Sequence, residues 1–395
     1  MTKPIHPFPA RMAPGLALDS LSALKAGNVV LDPMSGSGTV LRQASDLGLS
    51  AKGFDLDPLA VLMSKVWTTA VCDDDIDAAY RDLRARAVSA KNWSRLPWIN
   101  ENEETKTFIS YWFDEPQLSD LMRLAAALHD MTVNVTTPAD KAAVDVLRLN
   151  LSRIIVTKEQ AASLARDTSH SRPHRVTRNS PYDVFSGYDR SLNAVRRRLI
   201  EAPPKGNASV TLGDARNLES IADKSVDAVV TSPPYLNAID YLRGHRMALV
   251  WLGWTVPELR GIRSSSIGAE RGMGSDLLIK GTVEIVASMV SDSELSSRHE
   301  NMIQRYAHDL WRLLSEVARV MKQGSRATFV VGNSCLKGTF VKNAEGVATA
   351  ARLFGLAEIA RTERELPQGS RYLPTTGVSL GKRMRTENVL TFASA

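Results

Sequence analysis

Apolar positions along the chain follow two periods. Short runs bounded by turn residues occur at Asn28-Val29-Val30-Leu31-Asp32, Ser209-Val210-Thr211-Leu212, Val226-Asp227-Ala228-Val229-Val230 and Ala327 to Val331, and each predicts a strand. Val40-Leu41-Arg42-Gln43-Ala44 reads as the start of a helix. Helical spacing also recurs over Ile76 to Ala90, Leu118 to Leu128, Ala139 to Leu151 and Lys158 to Arg166, the last preceded by Thr157 and Gln160 in a capping-box pattern. Ile303, Ala307, Leu310, Leu314, Val317 and Met321 fall on one helix face. Leu356 to Glu363 and Glu387 to Phe392 read as a closing antiparallel pair. Strands alternating with helices predict an α/β fold.

The interval from Cys72 to Lys205 is too long for an ordinary connection between neighbouring strands. It reads as a mostly helical insertion, so the expected organisation is 1–71, an insertion at 72–205 as candidate target-recognition lobe, and 206–395 completing the first part. A flexible stretch rich in Gly, Ser and Arg is expected at about 255–300. Basic segments punctuate the chain: Arg172, His174, Arg175 and Arg178 lie in one polar stretch, Arg263 and Arg271 in another, and Lys382 and Arg383 in a third. These residue types bind phosphates, and a solvated linker has the same composition. Arg196-Arg197-Arg198 reads as an exposed helix face.

Two turns carry candidate chemistry. After the first strand comes Asp32-Pro33-Met34-Ser35-Gly36-Ser37-Gly38-Thr39, where glycines let a ligand approach the backbone closely before a helix begins. Asp55, in Gly53-Phe54-Asp55-Leu56-Asp57-Pro58, ends the next strand, where an acid can accept both ribose hydroxyls. The third glycine of the dinucleotide fingerprint is replaced by Leu41, which disfavours a nicotinamide site. After Val230 comes Thr231-Ser232-Pro233-Pro234-Tyr235, whose prolines remove two donors and stiffen the backbone. Its carbonyls can then face a ligand, and Tyr235 offers a ring on which a planar base can stack.

Read together, DPMSGSGT, FDLDP and TSPPY resemble the S-adenosylmethionine-dependent amino-methyltransferases of DNA, in the order cofactor motif first and catalytic loop second. The resemblance implies a Rossmann-like, seven-stranded methyltransferase sheet and S-adenosylmethionine as cofactor. It implies cofactor binding by Asp32, Pro33, Gly36, Ser37, Gly38, Thr39 and Asp55. Gly213-Asp214-Ala215 is similar to the family's third cofactor motif, which implies that Asp214, with Ala215, meets the adenine. His6-Pro7-Phe8-Pro9-Ala10-Arg11-Met12 looks like the segment that packs beside the methionine end, through Phe8. Ser232, Pro233, Pro234 and Tyr235 are implied as the catalytic loop. Within the family, Ser before PPY usually accompanies cytosine N4, whereas Asp or Asn usually accompanies adenine N6. The expectation is therefore a site-specific methyltransferase acting on cytosine N4 in double-stranded DNA. Adenine N6 of DNA and an amine of structured RNA remain the alternatives.

Composition changes this picture little. The 395 residues carry a net charge of +6 and are 44% hydrophobic, enough for more than one core and suited to a polyanionic partner. The two cysteines, Cys72 and Cys335, lack the setting of a carbon-methylating thiolate or a zinc site and read as reduced, partly buried thiols. His170, His174 and His245 form no recognisable catalytic signature. No metal is expected. No leader or membrane span is read, which points to the cytoplasm. A cognate restriction enzyme is compatible with the sequence, and neither monomer nor dimer is favoured.

Overall fold

The computed structural model describes residues 3–7, 12–89, 96–157, 159–166, 173–236, 240–269, 280–290, 295–336, 339–365 and 386–394. Its contacts divide the chain into two compact units, one of residues 1–9, 57–206 and 240–262, the other of residues 10–56, 207–239 and 263–395.

The second unit is built on one sheet of seven strands: β1 (Val29–Asp32), β2 (Ser50–Asp55), β3 (Ala208–Leu212), β4 (Val226–Thr231), β5 (Met321–Gly332), β6 (Leu356–Glu365) and β7 (Thr386–Ser394). Their order across the sheet is β6-β7-β5-β4-β1-β2-β3. The pairs from β3 to β5 are parallel, and β7 runs antiparallel to both β5 and β6. This is the expected Rossmann-like, mixed seven-stranded arrangement. Central strands are apolar without alternation because both their faces are covered: Val30, Leu31, Val229 and Val230 are all buried. The edge strand β6 instead exposes Glu358, Arg361 and Glu363, charges that discourage pairing with a further chain. Helix Ser297–Val320 buries Ile303, Tyr306, Leu310, Leu314 and Val317 in the core that also holds Phe329 and Phe392.

Gly53 shows how tightly this unit is packed around its first turn. A Cβ there would stand 2.4 Å from Leu41 Cδ1 and 3.2 Å from Ser35 Cβ, so only glycine lets β2 approach helix Thr39–Asp46 and the turn before it.

The first unit is helical. Helices Pro58–Thr68, Asp73–Ser89, Glu103–Trp112, Glu115–Asn134, Pro138–Ile155, Val184–Glu201 and Leu242–Leu249 surround a core with Trp67, Tyr188 and Trp251. Side chains of Asn102, Asp114, Thr137 and Asp183 cap four of them by accepting from first-turn N–H groups. Besides residues 1–9, this unit takes in 57–206 and 240–262, where the expected insertion was 72–205.

Three expectations are corrected. Lys158 lies outside the described residues, and 159–166 is not helical. Ala161, Ala162, Ser163, Leu164 and Ala165 are buried on every side, and their backbone groups pair with Ile154, Ile155, Trp112 and Arg175 instead of with one another. The span 255–300, expected to be a flexible stretch rich in Gly, Ser and Arg, contains helices Val256–Ser265 and Lys280–Met289, while 270–279 and 291–294 lie outside the described residues. Cys72 and Cys335 are free thiols but exposed, not partly buried. Among the described residues no helix is long and apolar enough to cross a membrane.

Candidate active site

The glycine turn, Asp55, Asp214 and the SPPY loop all belong to the sheet unit and lie at the carboxyl ends of β1, β2, β3 and β4. Brought together by the parallel strands, they occupy the position where open α/β sheets bind ligands.

At the end of β1 the Asp32 carboxyl is buried, and its Oδ1 accepts from Thr231 Oγ1 at 2.8 Å and from Met34 N at 3.2 Å. Burial pushes its pKa up to about 7, against the opposing effect of those donors. Pro33, Ser37 and Thr39 are buried. Gly36 and Gly38 adopt positive φ of 50° and 84°, which turns the chain into helix Thr39–Asp46. The turn is pinned to β2 by Ser35 N donating to Phe54 O at 2.8 Å and by Gly36 N donating to the Asp55 carboxylate at 2.8 Å.

This turn has the properties of a cradle. Gly38 offers no side-chain cap to the helix, and no acidic residue stands in the first turn, so an anionic group is favoured there. Among the described residues the buried Ser35 hydroxyl has no hydrogen-bond partner. Asp55 stands one strand away as an acceptor for a diol. These features fit the S-adenosylmethionine that the sequence resemblance implies. Asp214, beyond β3, is committed to Arg216: its carboxylate accepts from Arg216 N and Nε at 2.9 Å and from Nη2 at 2.6 Å. Burial would raise the Asp214 carboxyl, yet these donors hold it below its ordinary value. Ala215 is buried beside it.

The SPPY loop is fixed residue by residue. Ser232 Oγ donates to Val330 O on β5 at 3.0 Å, which leaves the hydroxyl's lone pairs as acceptors. Tyr306 OH donates to Pro234 O at 3.0 Å. Leu236 O accepts from Ser334 Oγ at 2.6 Å, and Ser334 Oγ in turn accepts from the buried Asn343 side chain at 2.7 Å. Among the described residues the Pro233 carbonyl receives no hydrogen bond. Tyr235 is half-buried, and burial pushes its hydroxyl up to about 12, helped by the Glu387 charge. Tyr306, Ser334, Asn343 and Arg216 escaped sequence reasoning. The signal for Tyr306 was an aromatic hydroxyl on an otherwise aliphatic helix seam.

The remaining candidates are placed elsewhere. His174, Arg175 and Arg178 are exposed in the helical unit, where the Arg175 guanidinium lies 5.2 Å from the ring centroid of the exposed Tyr111. Arg196 is bound to Asp73 and Asp77, so the first arginine of its basic run joins two helices instead of facing solvent. Arg263 is half-buried on helix Val256–Ser265. His6 is buried in the helical unit with Nε2 3.0 Å from Ser152 Oγ, and burial, reinforced by Arg153, pushes its pKa down to about 3. His245 contacts the Asp57 carboxylate. Phe8, Arg172, Arg271, Lys382, Arg383 and His170 lie outside the described residues.

No protein-family model matches the chain. It is 21% identical over 366 residues to the type II methyltransferase M.BsoBI of Geobacillus stearothermophilus, covering 80% of this chain and 71% of that protein. It is 22% identical over 362 residues to the type II methyltransferase M.MvaI of Kocuria varians, covering 85% and 78%. A 63-residue stretch, 16% of this chain and 12% of the other, is 33% identical to the type II methyltransferase M.MjaII of Methanocaldococcus jannaschii. Among solved structures, a DNA modification methylase described as putative, TTHA0409 of Thermus thermophilus, aligns over 46% of this chain and 50% of its own, with 18% identity and a TM-score of 0.25. The sequence relatives of this chain are thus type II methyltransferases.

Proposed function

We propose that the protein is a site-specific DNA methyltransferase that uses S-adenosylmethionine and methylates the exocyclic N4 amine of cytosine. The observation that carries this reading is the held SPPY loop: a serine oxygen and a proline carbonyl that receives no hydrogen bond among the described residues stand on adjacent residues at the end of β4, in the same sheet unit as the glycine cradle. Relationship to type II methyltransferases supports DNA as the substrate. The serine at position 232 favours cytosine over adenine through the family pattern.

The chain's groups suit the task of activating an aromatic amine, whose lone pair is otherwise delocalised into the ring. When bound, the cofactor supplies an electrophilic methyl group. Ser232 Oγ and Pro233 O each accept one N–H of the flipped base, drawing its nitrogen toward tetrahedral geometry and directing the lone pair. Tyr235 supports the base from its face. The hydrogen bond from Ser232 to Val330 O fixes the acceptor direction before substrate arrives, which lowers the reorganisation required at the reaction step. Asp32, the Gly36-Ser37-Gly38 turn and Asp55 hold the cofactor. The exposed Tyr111, His174, Arg175 and Arg178 are assigned to DNA contact in a target-recognition role for the helical unit.

The test is incubation of purified protein with labelled S-adenosylmethionine and either duplex DNA or total RNA, followed by nucleoside mass spectrometry. N4-methylcytosine in DNA is the expected product. N6-methyladenine would keep the machinery and overturn the choice of base, and label confined to RNA would overturn the DNA assignment.

A further inference from the structure

We infer that Arg216 is a positioning residue that couples the cofactor subsite to the target-base loop, an inference that rests on the methyltransferase reading above. Its guanidinium makes three sets of contacts at once. One edge grips the Asp214 carboxylate through Nε and Nη2, with Nη2 to Oδ2 at 2.6 Å. Nη1 donates to Asp309 Oδ1 at 2.5 Å, and Nη2 also donates to Ser265 O. All three acceptors belong to the sheet unit.

The acceptors lead toward two parts of the site. Asp214 is the acid that the sequence resemblance assigns to the adenine end of the cofactor. Asp309 lies on helix Ser297–Val320 one turn after Tyr306, whose hydroxyl holds Pro234 O. Asp309 Oδ2 also accepts from Gly268 N at 3.3 Å. Gly268, at φ +74°, is packed so closely that a Cβ on it would lie 3.3 Å from Tyr235 O and 3.6 Å from the Tyr306 ring. The segment from Ser265 to Gly268 therefore backs the catalytic loop, and Arg216 ties it to Asp214.

The electrostatics agree with a built junction. Arg216 and Asp309 are largely buried. Burial raises the Asp309 carboxyl despite the opposing pull of Arg216, whereas Asp214, more exposed and with more donors, is lowered. Two carboxylates of unequal environment share one cation, and a planar fork can satisfy both where a lysine point charge cannot.

The experiment measures S-adenosylhomocysteine affinity by calorimetry, kcat on duplex DNA at saturating cofactor, and the folded fraction, for wild type, Arg216→Met, Arg216→Lys and Asp309→Asn. Loss of charged hydrogen bonds in Arg216→Met is expected to weaken S-adenosylhomocysteine by about tenfold and to lower kcat by about tenfold. Arg216→Lys should restore affinity to within about threefold, through its contact with Asp214, while kcat stays low. Asp309→Asn should leave affinity within about threefold and lower kcat, a split that general destabilisation does not produce. If Arg216→Met does not fold, the Asp309→Asn split decides the matter. Wild-type affinity and kcat per folded molecule in both Arg216→Met and Asp309→Asn would overturn the coupling, even if their melting temperatures fell. Wild-type protein that fails to bind S-adenosylhomocysteine would overturn the functional reading itself, and the coupling with it.

Discussion

Asp32→Asn tests whether the first turn of the site holds a carboxyl group at the expense of stability. Both hydrogen bonds described for this carboxyl, from Thr231 Oγ1 and Met34 N, fall on Oδ1, so an amide oxygen can receive them unchanged. What the substitution removes is the buried charge. For a carboxyl whose folded pKa lies above its unfolded one, the native state keeps a proton that the unfolded chain has lost, so stability falls as pH rises between the two values. The rise from 3.8 to about 7 is worth roughly 4 kcal/mol above neutrality, at about 1.4 kcal/mol per pH unit. At about pH 5.5 roughly half of that penalty is in force, so the variant should gain roughly 2 kcal/mol more relative to wild type at about pH 8 than at about pH 5.5. In a thermal melt without cofactor the difference in Tm gain is about 4–8 °C. Equal gains at the two pH values, or a smaller gain at the higher one, would refute the assignment of a charge-burial cost to Asp32. Calorimetry on the same variant should show weaker S-adenosylhomocysteine binding, the outcome expected of the proposed cofactor-binding role for this acid.

Other perturbations separate the roles within the site. Ser232→Ala should lower kcat by about 10² or more while S-adenosylhomocysteine affinity stays within about twofold, the pattern of an acceptor used in the transition state. Asp55→Ala should instead weaken S-adenosylhomocysteine by about tenfold or more in calorimetry, because a charged acceptor for the ribose is lost. Gly53→Ala forces a methyl against the fully buried Leu41 and should cost about 1–3 kcal/mol, read as a lower Tm. Arg175→Ala combined with Arg178→Ala should reduce the slope of log affinity for duplex DNA against log salt by about two. An unchanged slope would remove those residues from the DNA-contacting surface.

The parallel centre of the sheet was legible because burial on both faces leaves β1 with a continuous apolar run and β4 with one broken only by Asp227, and few other elements write such a pattern. The antiparallel end was legible too: Leu356 to Glu363 and Glu387 to Phe392 fall within β6 and β7. Residues 159–166 were misread because an alanine-rich stretch carries helical propensity, while complete burial and distant backbone partners decide its conformation. In the candidate site, the residues beside each strand end could be named from local sequence alone. The groups that hold them could not, because their partners are remote: Tyr306 and Pro234 are 72 residues apart, and Arg216 and Asp309 are 93 apart. A hydrogen bond over such a separation has no period and no local signature.

The position of β7 bears on how the sheet unit comes into being during synthesis. It is the seventh of the sheet's strands to leave the ribosome, yet it separates β5 from β6 and pairs with both along most of its length. Until residues 386–394 emerge, the nascent chain presents two unpaired edges, one of them on the apolar β5. A sheet unit assembled as the chain emerges would complete by inserting a late strand between β5 and β6, and a translation product ending before residue 386 would expose an adhesive edge that residues 386–394 conceal.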